Sequence, residues 1–514
     1  MKKTPSLALL IGLTALGAFG QVKFARPTVE EPRFALVVPF EVPTGDPQFK
    51  GLNLNGQPVA TFRAFRGGKT VDLAKPLAAG PVDLVLDYAW SGAKKYTITV
   101  LYQLKQTERR KDSAAVSPAA GGTPADCEEG FSRVYVVQEE AGLARRGEIS
   151  YLTLTAPRAE VENAAFRIFA GAAELASQII DRRESFPPES QAKTHPPTLT
   201  CKIAVALDAG AWEKKLVAVF KGTPKPPAAD IALSGEGLGR AVRTDKLALG
   251  LHPQSGQLNT IEDLATGVKL YNKAGVIHWN PDVFIPGVAW DHSFDWKPPA
   301  VAEEKNGPLV YLNARRGPMP RIKDVNLEVR YAVPAGAPYF VCETKMTFEK
   351  DLGVIAVRND EMVLYKELFD SLLYRDKNGA LVKMPLRELP GRPYGLVHIA
   401  PDDIPWVGLI NTKAGYGFFS LRLAAASSDL GVAGDFHHKA GTYFYAPSDG
   451  EYVYWVRPLL YTWAEYATNT LLTFVPRGSF CYEKNAYLVL KLDDGTPEAL
   501  DTLRRRLSNP LRVF

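Results

Sequence analysis

The sequence predicts an all-β chain in which two small N-terminal β-sandwiches precede one large β domain, and three observations lead there. The chain is rich in residues that favour strands and the turns between them: 24 Phe, 21 Tyr and 8 Trp stand beside 42 Gly and 39 Pro in 514 residues. Short apolar runs alternate with period two and are separated by turn residues. Helical periodicity appears clearly only near the C-terminus. Hydrophobic residues at 46% and charged residues at 23% are globular proportions, which excludes a disordered or collagen-like chain. At about 150 residues per domain, the length accommodates roughly two to four domains. A formal net charge of +5 with no Lys/Arg stripe excludes nucleic acid as a partner.

Taken in order, residues 1–20 read as a signal peptide. Lys2 and Lys3 precede the apolar run Leu7 to Leu16, and Ala18-Phe19-Gly20 supplies small residues for cleavage before Gln21. No later stretch reaches the ~18 apolar residues of a membrane span. The expectation is an exported protein, secreted or periplasmic, with no membrane association after cleavage. Residues 21–105 form the first sandwich, with strands at Phe34–Val38, Val82–Tyr88 and Tyr96–Tyr102 and turns at Asn55-Gly56 and Gly67-Gly68. Residues 106–127 lose periodicity and read as a linker. A second sandwich covers 128–225, with strands such as Ile149–Leu154, Leu199–Val205 and Lys215–Phe220, and Pro224 to Pro227 closes it as a semi-rigid spacer. The large domain occupies 235–514 and ends in a helix from about Glu498 to Leu507, with Thr496 as N-cap and Pro497 at N1.

The opening of the large domain, Lys246 to Leu270, runs strand, turn at Ser255-Gly256, strand, turn at Thr266-Gly267, strand. This rhythm resembles the first strands of galactose-mutarotase-like β-supersandwich domains, and the resemblance spans about residues 240–495. It implies a large β-supersandwich and a carbohydrate-active protein, since such domains occur in aldose epimerases, polysaccharide lyases and glycoside hydrolases. The chain departs from many of those lyases in carrying two sandwiches where they carry a helical toroid.

Reactive residues concentrate in three segments. His278 to Trp296 holds three Trp, two His and three Asp. Pro281 and Pro286 mark it as a loop rather than a strand interior. Trp279, Trp290 and Trp296 offer flat faces to the C–H side of a sugar ring, while Asp282 and Asp295 accept from its hydroxyls and His292 is placed for proton transfer. Val357 to Gly379 puts Arg358 and Glu361 where a strand from Val354 ends, and closes in an Asn378-Gly379 hairpin turn. The third segment, from His398 to Arg457, includes Tyr445 and the strand Tyr452–Arg457. Alternation there puts Val453, Trp455 and Arg457 on one face and Tyr452, Tyr454 and Val456 on the other. Each segment also has a plainer explanation, as core edge, turn or surface ion pair.

No organic cofactor is implied. A divalent metal has support only from five scattered His residues after position 277, none in an HxH or HxxxH spacing. Cys127, Cys201, Cys342 and Cys481 form no CxxC pair, and three disulfide connectivities remain open to an exported protein. The expected ligand is a polysaccharide or oligosaccharide. The leading expectation is a lyase acting on uronates by β-elimination, with Arg358 or Arg457 neutralising the carboxylate, His292 or His398 as base and Tyr445 as acid. The alternatives are a hydrolase of the same fold, using for instance Asp295 and Glu361, and a glycan-binding protein without turnover.

Overall fold

Along the strand Arg145–Pro157 the side chains alternate: Leu152, Leu154 and Ala156 are buried, while Tyr151, Thr153 and Thr155 point out. This period of two is what a sheet with one face on a core requires, and it recurs through the whole molecule. The computed structural model describes the backbone of strands between Phe19 and Lys105 and of residues 124–186, 196–225, 231–376, 379–389, 395–399, 404–429, 437–438, 442–447, 450–461, 473–475, 477–478 and 480–514. Side chains are described from residue 124 onward, except at 395–399, 425–438, 443, 457–461 and 473–474. The fold is all-β, with one long helix at Thr496–Ser508. The expected signal segment, residues 1–18, and most of the expected linker, 106–123, lie outside the described residues. Among the described residues no helix is long and apolar enough to cross a membrane.

The N-terminal strands form two four-stranded sheets and a short two-stranded one. Thr97–Val100, within a run read from the sequence as part of the first sandwich, instead pairs with Ala426–Asp429 at the end of the largest sheet. Farther along, Arg145–Pro157, Thr198–Ala209 and Ser177–Ser185 form one sheet. It faces a second sheet ordered Ala173–Leu175, Phe166–Ala170, Lys214–Lys221, Ser132–Gln138 and Arg512–Val513. Leu152, Leu154, Phe166, Ile203, Val205 and Val219 fill the space between them.

A five-stranded sheet, a two-stranded one and two larger sheets make the rest of the described strands. One runs antiparallel from Val301–Lys305 through Tyr339–Phe348 and Phe480–Lys491 to Leu381–Pro385. The other is ordered Ala289–His292, Asp282–Ile285, Ala356–Tyr365, Tyr452–Tyr461, Thr442–Ala446 and Gly395–Ile399, with His437–His438 beside it. A five-stranded sheet from Ala232 to Leu270 packs on the same core. Val283, Val357, Met362, Leu364, Val453 and Trp455 face inward to meet Val329, Tyr331, Phe418 and Tyr487.

Four sequence expectations are corrected here. The segment from His278 to Trp296 is not a loop: Asp282–Ile285 and Ala289–His292 pair as a hairpin at the sheet edge. Its prolines sit just outside the strand, where no ladder N–H is needed, so they bound it rather than exclude it. Trp296 is 3% exposed, and its indole N–H donates to the Pro318 carbonyl at 2.8 Å, so it is core rather than a platform. Trp455 is 2% exposed among Phe418, Phe444 and Tyr487, so the face it shares with Val453 is the inner one. The four cysteines are free thiols, three of them buried. The terminal helix starts one residue earlier than a Thr496 cap requires, with Gly495 at the cap.

A buried cation ties this helix to the second sandwich. Arg145 bonds Glu139 at 2.7 Å and Glu148 at 3.0 Å, and donates to the carbonyls of Arg506 at 2.9 Å and Asn509 at 2.8 Å. Positive charge at a helix C-terminus is favourable, and here solvent does not screen it. Arg145→Ala leaves Glu139 without its cation and Glu148 with Arg506 alone, and is expected to cost about 3–5 kcal/mol of stability. Chemical denaturation measures this; a loss under about 1 kcal/mol would show the cluster to be solvated.

Candidate active site

The outer face of the six-membered ladder is built by strand register. Asp282 lies opposite His292 on one side and opposite Arg358 on the other. Directly opposed residues share a face, so His292, Asp282 and Arg358 stand in one row across three strands. Their neighbours Val283 and Val357 point into the core, which turns this row away from it.

Glu361 joins the row by an irregularity. In a regular strand, residues i and i+3 point to opposite faces. Between Ala356–Tyr365 and Tyr452–Tyr461 the register shifts twice, once at Val357/Arg358 and once at Arg358/Asp360. Asn359 on one strand and Leu459 on the other are left without opposed partners. The bulge resets the alternation, so Arg358 and Glu361 share the outer face while Asp360 points in with Met362.

Arg358 is the hub. Its Nε donates to Asp282 Oδ1 at 2.9 Å, a second guanidinium nitrogen to Asp282 Oδ2, and Nη1 to Glu361 Oε1 at 2.6 Å. Its guanidinium also lies 3.7 Å from the centre of the Trp290 ring. The Asn280 amide nitrogen, turned to the cluster, donates to Asp282 Oδ2 at 2.7 Å and Glu361 Oε2 at 3.1 Å. His292 Nδ1 lies 2.9 Å from Asp282 Oδ2, at ion-pair distance though off the line of a well-aligned hydrogen bond.

Asp282 and Glu361 are fully buried, whereas the His292 side chain is 13% exposed. Burial, with the charges of Asp282 and Asp360 adding to it and that of Arg358 opposing, pushes the Glu361 carboxyl up to about 8. It is therefore mostly protonated at neutral pH. Asp282 and Arg358 cancel, so a neutral Glu361 leaves the row without net charge.

An aromatic rim surrounds the opening. Trp279 meets His292 edge-on at 5.6 Å, Trp290 lies parallel to it at 6.1 Å, and Phe294 stands at 5.1 Å. Tyr454 touches Trp279 at 6.0 Å and Tyr445 touches Tyr454 at 5.2 Å. Trp279, Trp290, Tyr454 and Tyr445 are all half-buried. Asp282, His292, Arg358, Glu361, Trp279, Trp290 and Tyr445 of the sequence-derived set thus form one contiguous cluster. Asp295, half-buried, lies in the short helical turn Ser293–Asp295 just beyond His292. The side chains of His398 and Arg457 lie outside the described residues. Arg358 is engaged by two protein carboxylates and offers no open fork to a substrate carboxylate. Sequence reasoning missed Asn280, whose place between Trp279 and Pro281 gave no chemical signal, and did not choose the Tyr454 face.

Asp282, His292 and Glu361 present ligand atoms within 4.8 Å of one another, which is metal-like spacing. The donor set does not fit a cation well, because both Asp282 oxygens and one Glu361 oxygen already serve Arg358.

Two outcomes follow from burial. Trp296→Ala and Trp455→Ala are expected to lower stability by about 3–5 kcal/mol each, and Trp279→Ala and Trp290→Ala by clearly less; denaturant titration checks the ranking. The folded chain also holds the Glu361 proton more tightly than an unfolded chain, where the carboxyl titrates near 4.5. Stability from this site is complete below that value and declines as pH rises toward 8. Glu361→Gln is expected to flatten the decline, and a parallel pH profile in the variant would refute this assignment.

No family model matches the sequence, and no curated protein matches it. Solved structures match at low identity and low structural similarity. A glycosyl hydrolase family 38 protein from Enterococcus faecalis is 9% identical over 74% of this chain and 47% of its own, with a TM-score of 0.46. An alpha-mannosidase from Enterococcus faecalis V583 is 10% identical over 76% of this chain and 46% of its own, also at 0.46. This chain thus spans about half the length of either. A galactose mutarotase-like protein from Lactobacillus casei is 12% identical, matched over 51% of this chain and all of its own, at 0.32.

Proposed function

We propose that the chain is a carbohydrate-active enzyme in which His292 is the proton-transfer residue and hydrolysis of a glycosidic bond is the reaction. One observation carries the reading: a buried cluster of Asp282, Arg358 and Glu361 reaches the surface through His292, beneath a rim of Trp279, Trp290 and Tyr454. Flat aromatic faces suit the apolar side of a sugar ring. A histidine backed by a carboxylate suits proton transfer near neutral pH. Asp295 is the second carboxylate a hydrolase needs. The commitment of Arg358 to Asp282 and Glu361 removes it as the cation that elimination from a uronate needs for the substrate carboxylate, and the side chain of Arg457 lies outside the described residues. The ligand we propose is a polysaccharide or oligosaccharide, met outside the cell after export.

A second reading, glycan binding without turnover, draws on one observation. Glu361 is fully covered and the row is self-neutralised, as an ion cluster supporting a binding face would also be.

Screening purified protein against oligosaccharides for new reducing ends, alongside absorbance of unsaturated uronates, separates the three outcomes. Reducing ends without new absorbance are expected. New absorbance would restore elimination, and binding with neither signal would leave the binding reading. On a turned-over substrate, His292→Ala is expected to lower kcat by about 10²–10⁴-fold with a near-native melting temperature. Trp290→Ala is expected to raise KM about tenfold with kcat little changed, because a platform holds ground state and transition state alike.

A further inference from the structure

The strand that carries Arg358 and Glu361 has a second polar cluster on its inner side. Asp360 is 2% exposed. Its Oδ2 accepts from Asn485 Nδ2 at 2.6 Å and from the Tyr487 hydroxyl, and its Oδ1 lies 3.2 Å from His278 Nε2. His278 is itself fully buried and anchored at Nδ1 by the Tyr331 hydroxyl, 2.7 Å away. These contacts come from two directions: Asn485 and Tyr487 from one strand of the opposite sheet, and His278 from the segment that pairs with Met362.

Asp360 immediately follows the bulge residue Asn359. That residue is 2% exposed, and its amide finds no hydrogen-bond partner among the described residues. The side chain at the irregularity therefore does nothing visible to stabilise it. A bulge that costs stability persists when its neighbours hold it: Arg358 is held on the outer face by Asp282 and Glu361, and Asp360 is held from the core by Asn485 and Tyr487.

We propose that Asp360 is the positioning residue of the site: gripped from the core by Asn485 and Tyr487, with His278 beside it, it fixes the bulge that brings Arg358 and Glu361 to one face. Its consequence for catalysis rests on the function proposed above; the geometric claim does not. Asp360 touches neither the opening nor a bound sugar. It acts through the strand, and through its charge on Glu361 from the opposite face. The other groups bearing on Glu361 are Asp282, His292, Arg358 and Tyr454.

The test needs no sugar. The protonated Glu361 carboxyl is followed by infrared difference spectroscopy against Glu361→Gln. The Arg358–Trp290 contact is followed by fluorescence, as the difference between each protein with and without Trp290→Phe. In Asp360→Ala the Trp290 contribution is expected to change as Arg358 and Glu361 separate, and the Glu361 titration to leave its wild-type value, lowered by loss of the Asp360 charge and raised by distance from Arg358. The conservative Asp360→Asn should restore the Trp290 signal, because shape and hydrogen bonding survive, while the titration falls below wild type because only the charge is gone. A wild-type titration and a wild-type Trp290 signal in Asp360→Ala would overturn the proposal. Should that variant not fold, Tyr487→Phe combined with Asn485→Ala keeps the charge and removes the grip. The Trp290 signal is then expected to change, and an unchanged signal overturns the proposal equally. If these results hold while no sugar is turned over, the positioning stands and the enzymatic reading fails.

Discussion

A guanidinium taken out of water has to be met by carboxylates, and the arrangement around Arg358 follows from that requirement. One carboxylate, Asp282, arrives by register from the neighbouring strand and takes two guanidinium nitrogens. A second, Glu361, comes from the same strand, and only the bulge places it within reach. Two carboxylates against one cation leave an excess of negative charge in a dry environment. The excess is relieved by a proton on Glu361 and by the Asn280 amide bridging the two acids. What remains is a neutral, closely held platform with His292 as its outlet.

Comparison with the cluster at Arg145 sharpens the point. There too a buried guanidinium faces two glutamates, Glu139 and Glu148. Its remaining donors go to backbone carbonyls of the terminal helix, and the Trp212 backbone N–H donates to Glu139 Oε2 at 3.1 Å. Similar charge arithmetic thus serves two ends: one cluster joins elements, while the other is left open at a single residue. Pairing alone does not mark a functional site; the opening does.

Much of this was legible in the sequence, and the rest was hidden for identifiable reasons. Alternation exposed the all-β character, and the density of Trp, His and Asp between His278 and Trp296 marked the segment that carries Asp282, Trp290 and His292 into the cluster. Alternation also separated Tyr454 from Trp455, but a period of two says only that there are two faces. Which one meets the core depends on Phe418 and Tyr487, which arrive from distant strands. Composition could not distinguish Trp290 from Trp296 for the same reason: one lies over Arg358 and the other is sealed by Pro318. The prolines at 281 and 286 disguised a hairpin by bounding it closely. The bulge at Asn359 was least legible, because reading the strand as regular places Arg358 and Glu361 on opposite faces.

The short strand Arg512–Val513 closes the second sandwich by pairing with Val137 and Gln138, and Arg512 reaches Glu140 across 372 residues of sequence. That sandwich is therefore completed by chain that has first passed through the whole of the larger domain. Bringing such distant segments together is slow, since little local structure rewards the search. Once made, the closure links the fates of the two bodies: loosening the last strand exposes the core beneath Leu511, and loosening the terminal helix withdraws the carbonyls that Arg145 requires. Hydrogen exchange should accordingly find these two bodies opening together rather than as separate foldons.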